Sequence, residues 1–319
     1  MGKYSDSPEW EDIIPIPQDD GGPNPLAVIT YTEDYSEAMS YLRAVMAKDE
    51  KSDRVLGLTE DIIKKNPAHY TVWLYRADNL FTLGKDLKEE LEWLNKVSFK
   101  HLKNYQIWHH RQTVMSQIDA LPSTELGFLE RMFSKDAKNY HVWSYRQWLV
   151  RRFGLWDDEL PYIESLLQDD VRNNSAWNHR WFVIFGRHAD TTKQGSGVTS
   201  SGAKPDPAIL DREVSYAEEK IALAPQNQSP WNYLRGVLKK RPGGLKEVRA
   251  FAEQFADVRN EHHVKSSHAL DILADIYAQE QRTEDSGKAL QLLATKYDPI
   301  RKNYWNYRRG LVGLAPVQG

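Results

Sequence analysis

The chain contains no cysteine among its 319 residues. That excludes disulfides, a thiol nucleophile and any zinc site with thiolate ligands. It also suits a reducing compartment, and the cytoplasm is the expected location. No apolar run approaches the ~18 residues needed to cross a bilayer. The opening stretch MGKYSDSPEWEDIIPIPQDDGGPNP lacks the basic and apolar regions of a signal peptide. Net charge is −3 with 27% charged residues, so no global field draws the chain to nucleic acid or to a membrane. Convincing strands are missing too, and with them any strand-linked, Gly-rich phosphate loop.

What the chain has in excess is tryptophan, 11 residues, most of them at repeating positions. Six segments share one pattern, an aromatic-centred unit with Trp followed by Arg three or four residues later. They read NPAHYTVWLYR (66–76), KNYQIWHHR (103–111), KNYHVWSYR (138–146), RNNSAWNHR (172–180), QNQSPWNYLR (226–235) and KNYWNYRR (302–309). The first three intervals between these tryptophans are 35, 35 and 34 residues. A fixed period of this length marks stacked supersecondary units, each contacting only its neighbours.

Before each Trp segment lies an amphipathic stretch with apolar residues three or four apart, as in Leu126, Leu129, Met132 and Phe133. Each unit therefore reads as helix, short turn, helix. Asn104, Asn139, Asn173 and Asn227 lie four residues before their Trp, where an Asn side chain can cap the second helix. In the first unit, Asn66-Pro67 supplies the expected cap and first helical residue. Trp and Arg at i and i+3 share a helix face, so both read as scaffold, the ring buried between repeats under the Arg stem.

The fold class is accordingly all-α, a right-handed superhelical solenoid of about seven helical hairpins over 34–319, without a second domain. Residues 1–33, rich in Pro, Gly and acidic side chains, read as a flexible or loosely docked arm. The interval from Trp177 to Trp231 is stretched by the insertion at 187–207, a Gly/Ser/Thr/Pro-rich surface loop. The wider interval from Trp231 to Trp305 is filled by a degenerate sixth unit lacking Trp, with helices near 244–256 and 264–279.

Chemistry requires positions that depart from scaffold logic. Lys103 and Lys138 each precede an Asn cap, where the helix dipole disfavours a cation. They make sense there if an anion is bound, although a solvated turn lysine is the competing reading. Two residues before the Trp the repeats vary among Thr71, Gln106, His141, Ser175 and Ser229, which suggests a surface facing a partner. Tyr70, Tyr105 and Tyr140, three before the Trp, suit an interface or simple packing. The histidines, including adjacent His109 and His110, form no convincing ligand set, so no metal is expected on this chain.

These motifs, in this order, resemble the protein prenyltransferase α-subunit repeat, in particular the α subunit shared by farnesyltransferase and geranylgeranyltransferase type I. The resemblance covers residues 34–311, and the chain ends before the extra C-terminal domains of the Rab-directed relative would begin. It implies a crescent of hairpins wrapped around a β subunit, which holds the catalytic zinc; magnesium is a further candidate beside the diphosphate. The implied reaction joins a farnesyl or geranylgeranyl group, from its diphosphate, to the Cys of a C-terminal CaaX motif on proteins such as Ras- and Rho-type GTPases. Carried over by position, Lys103 matches a lysine that contacts the diphosphate and supports catalysis, and Tyr105 a nearby tyrosine. Gln106 matches the glutamine that hydrogen-bonds the substrate carboxylate. Asn139, Tyr140 and His141 match residues on the diphosphate side; Ala68 and Tyr70 match positions near the final substrate residue.

Two other classes compete. A tetratricopeptide-like scaffold shares the period, but its Gly/Ala positions are replaced here by Asn-Tyr-x-x-Trp-x-x-Arg. Single-stranded RNA binding through stacked aromatics is disfavoured by the net charge.

Overall fold

Four-residue turns join the two helices of each of the first five hairpins, and the repeat tryptophans sit just beyond those turns. The computed structural model describes residues 2–22, 24–187 and 205–317; the insertion at 187–207 therefore lies, apart from its ends, outside the described residues. Among these, fifteen α-helices and short 3-10 and π turns account for the regular structure, with one isolated bridge between Ala256 and Val264. The chain divides into two units, 1–153 and 154–319.

In the first unit, α1 (Glu33–Ala47) precedes three hairpins. These are α2 (Asp53–Lys65) with α3 (Tyr70–Thr82), α4 (Leu87–Lys100) with α5 (Tyr105–Ser116), and α6 (Glu125–Lys135) with α7 (Tyr140–Phe153). The second helices pack in series, α3 on α5 and α5 on α7. In the second unit, α8 (Glu159–Asp169) pairs with α9 (Asn174–Gly186) and α10 (Pro207–Leu223) with α11 (Gln228–Leu238). A 3-10 turn and the short α12 (Arg249–Ala252) then face α13 (Ser267–Gln279), and α14 (Thr283–Leu292) faces α15 (Lys302–Leu311). The degenerate sixth unit thus forms a hairpin in which buried Leu270 stands where the Trp would be.

The repeat motif does three jobs. Each Trp ring is buried, and most indole N–H groups donate to the carbonyl six residues earlier: Trp73 to Pro67 at 2.8 Å, Trp143 to Ala137 at 2.9 Å, Trp177 to Val171 at 2.9 Å. The Asn caps behave as the sequence predicts. Asn104 accepts from the Ile107 N–H at 3.0 Å, Asn139 from His141 at 3.0 Å and Asn173 from Ser175 at 3.1 Å. The amide of a cap also reaches back to the preceding turn, as Asn104 does to the Pro67 carbonyl at 3.1 Å.

The arginines form a buried ionic chain that the period alone does not reveal. Arg76 forks onto Glu90 and Arg111 onto Glu125, each from the second helix of one hairpin to the first helix of the next. Arg180 does the same with Glu213. The residue two after the Trp of the following second helix closes the other side of the carboxylate: His110 on Glu90, Tyr145 on Glu125, Tyr233 on Glu213. Burial works to raise the Glu90 and Glu213 carboxyls, but these hydrogen bonds and the arginine charge win and hold them below the usual range. A carboxylate out of water is tolerated only with such full pairing.

Two expectations need correction. Asn66-Pro67 does not cap α3: the helix starts at Tyr70 after His69, while Asn66 ends α2 and its amide bonds the Tyr35 hydroxyl. The reason is register, since His69, four before Trp73, occupies the position filled by Asn in later repeats. The N-terminal arm is anchored over its first half. Tyr4, Trp10 and Ile13 are buried, and the Tyr4 and Trp10 rings meet Tyr41 of α1 at 5.5 Å. Arg54 of α2 forks onto Asp12 at 2.7 and 2.9 Å. Composition hid this because three anchoring side chains sit among many polar ones.

Candidate functional site

The site develops around the turn at 101–104 and the first turns of α3, α5 and α7. Residue 103 precedes the Asn104 cap, so its side chain leaves the hairpin instead of entering the core. The Lys103 side chain is 80% exposed, and its ammonium lies 4.0 Å from Asp136 Oδ2 of the next turn. Such a weak, solvated pair leaves the cation available.

His141, in the first turn of α7, stands directly beside this turn. Its ring meets the Tyr105 ring edge-on at 4.3 Å, and Tyr140 follows at 5.7 Å. Partial burial lowers the affinity of His141 for a proton, and a hydrogen bond to the Lys103 backbone only partly offsets this. The imidazole is therefore mainly neutral at pH 7, and its ring is tied to the backbone of the residue that carries the exposed ammonium. Lys103, Tyr105, Tyr140 and His141 come together as one group.

Tyr70, Tyr105 and Tyr140 each open their helix and remain about two-thirds exposed. Between α3 and α5, Tyr70 and Tyr105 border a concavity of about 440 Å³, lined also by Trp73, Leu74, Gln106 and His109, among others. Its walls are mainly apolar, with Gln106 as a polar contribution. Exposed Leu74 had no place in the sequence reading. Its signal was the position after the Trp, which is polar in the other repeats (His109, Ser144, Asn178, Asn232, Asn306). The corresponding hollow between α9 and α11, about 320 Å³, has Asn174, Asn178 and Asn232 in its lining and is more polar.

Asn139 stands apart from the expected group. It is 2% exposed, its Oδ1 accepts from the His141 and Val142 N–H groups, and its Nδ2 donates to the Leu102 carbonyl at 2.9 Å. Its amide faces the fold, not solvent. Ala68 lies exposed in the turn before α3, outside the concavity's lining. His109 is exposed while His110 is buried against Glu90, so the pair diverges as adjacent helical residues must. Among the described residues no three of His, Asp and Glu converge as metal ligands.

The protein prenyltransferase alpha subunit repeat matches residues 52–83, 87–118, 122–153, 156–186 and 210–241, the first five hairpins in turn. The chain is 41% identical to the protein farnesyltransferase/geranylgeranyltransferase type-1 subunit alpha of Solanum lycopersicum, covering 99% of this chain and 92% of that one. It is 38% identical to the subunit of the same name in Candida albicans, covering 94% and 96%. A solved structure, Candida albicans protein geranylgeranyltransferase-I complexed with GGPP, superposes with a TM-score of 0.81 at 37% identity, over 94% of this chain and 97% of that chain. By its repeats and by identity over nearly its whole length, the chain belongs to the protein prenyltransferase α-subunit family, among those of the farnesyltransferase/geranylgeranyltransferase type-1 kind.

Proposed function

We propose that the chain is the α subunit of a cytoplasmic heterodimer that transfers a farnesyl or geranylgeranyl group from its diphosphate to the Cys of a CaaX terminus, as on Ras- or Rho-type GTPases. The observation that supports this reading is the exposed Lys103 ammonium, on the turn that leads into Tyr105, whose ring meets His141 and lines the α3–α5 concavity. As the prenyl C–O bond breaks, negative charge grows on the departing diphosphate. A positioned cation stabilises that charge more in the transition state than in the ground state. Lys103 takes this role, with Tyr105, Tyr140 and His141 flanking the same anion and Asn139 behind them.

Gln106 supplies an amide to the substrate's C-terminal carboxylate, and Tyr70 and Ala68 border the space for the final side chain. Zinc is assigned to the β subunit, as the family resemblance implies. Any magnesium would accompany the diphosphate.

The test is co-expression with a β subunit, followed by transfer assays with both diphosphates and a CaaX peptide. The pair should turn over and the isolated chain should not. A chain that purifies as a lone monomer, refuses any β subunit and binds short peptides would overturn the reading in favour of a scaffold.

A further inference from the structure

In three of the repeats the carbonyl six residues before the Trp is held twice. Pro67 accepts from the Trp73 indole at 2.8 Å and from Asn104 at 3.1 Å. Val171 accepts from Trp177 at 2.9 Å and from Asn227 at 2.8 Å. Pro225 accepts from Trp231 at 2.8 Å and from the Ser266 hydroxyl at 2.6 Å. The turn that carries Lys103 breaks this rule. Its Leu102 carbonyl takes the Asn139 amide at 2.9 Å, while the buried Trp108 indole N–H has no hydrogen-bond partner among the described residues.

The place of the Lys103 ammonium is thus set by its backbone, because its side chain is exposed and, among the described residues, meets a charged partner only in the 4.0 Å contact with Asp136. With the indole disengaged, the side-chain grip on the preceding carbonyl comes from Asn139. We propose that Asn139 is a positioning residue: it aims Lys103 by holding the Leu102 carbonyl, and it does not itself contact the diphosphate. The inference rests on the reading that Lys103 meets the leaving diphosphate. It reassigns Asn139 from ligand to anchor, with its Oδ1 tying the His141 backbone into the same unit.

The side chain's two tasks can be separated. Aspartate keeps the acceptor that caps α7 but loses the donor to Leu102. Serine can keep both, as Ser266 does by accepting from the Ala269 N–H and donating to Pro225. Asn227→Asp is the control, equally a cap and similarly buried, at a carbonyl that Trp177 also holds. In the purified heterodimer, Asn139→Asp should lower kcat by about tenfold or more, the scale expected from misplacing a catalytic group. The peptide KM should move by less than about twofold. Asn139→Ser should restore most of the turnover, and Asn227→Asp should retain it.

A kcat for Asn139→Asp no lower than that of Asn227→Asp would overturn the proposal, as would Asn139→Ser failing as badly as Asn139→Asp. Should the aspartate variant not assemble, Asn139→Ala compared with Asn227→Ala carries the same contrast. Lys103→Ala is run alongside. If it leaves kcat unchanged, the reading of Lys103 is lost and the inference with it; if it lowers kcat while Asn139→Asp does not, the inference alone fails.

Discussion

Arg111 grips Glu125 through two parallel hydrogen bonds, Nε to Oε1 at 2.8 Å and Nη2 to Oε2 at 2.6 Å, with both side chains buried to about 1% exposure. This pair joins α5 to α6, while the Tyr145 hydroxyl from α7 bonds the same carboxylate at 2.8 Å. A single acidic side chain therefore ties two hairpins together.

Removing the charge at one end should be costly. Glu125→Gln leaves the guanidinium buried without its counterion, and breaking such a pair costs about 3–5 kcal/mol. Urea unfolding of the variant should show this loss, and a change below about 1 kcal/mol would mean that the pair contributes little.

Acid should weaken the fold in two stages. Buried His110 and half-buried His268 resist protonation in the folded chain, chiefly through desolvation. The unfolded chain takes up those protons first, so stability falls as pH drops through about 6.5. Glu90 and Glu213 hold their carboxyls low, so their contribution is present above about pH 4.3 and is lost further below it. Melting temperature measured from pH 8 to 3.5 should decline across both windows; a flat profile down to pH 5 would contradict the histidine stage.

The unequal bonding of the tryptophans predicts unequal substitutions. Trp143→Phe forfeits a hydrogen bond of 2.9 Å to Ala137, whereas Trp108→Phe removes an N–H that has no partner among the described residues. Both lose part of a buried ring, so the difference isolates the bond. Trp143→Phe should be the more destabilising by about 1 kcal/mol in chemical denaturation. The reverse order would show that the Trp108 N–H has a role in the fold.

In the heterodimer, Lys103→Ala should lower kcat by about a hundredfold while weakening prenyl diphosphate binding far less, as expected for a contact that strengthens in the transition state. Gln106→Ala should instead raise the peptide KM at nearly constant kcat. Steady-state kinetics with each substrate varied would distinguish the two, and identical profiles would refute the division of roles.

Much of this was legible from spacing. Asn104, Asn139 and Asn227 cap where a residue four before Trp should, and the degenerate unit forms its hairpin where the wider interval predicted one. The acidic partners were not legible, although Glu90 and Glu125 each lie fourteen residues after their Arg. A helical stretch presents several glutamates, and periodicity does not say which one turns inward. Ser266 was missed for a related reason, since it reproduces an Asn cap with a different side chain. Tyr4 and Trp10 were missed because anchoring by isolated aromatics leaves no periodic trace.

The sequence by itself determined the hairpin count, the turn chemistry and the candidate residues, because backbone capping and a fixed repeat are local and act along the chain. Only the tertiary structure decided how equivalent positions differ. Asn104 and Asn139 are the same residue in the same place, yet one shares its carbonyl with an indole and the other does not. That contrast depends on whether a ring from one helix reaches the turn before it. Spacing specifies which groups can meet; close packing decides which of them do.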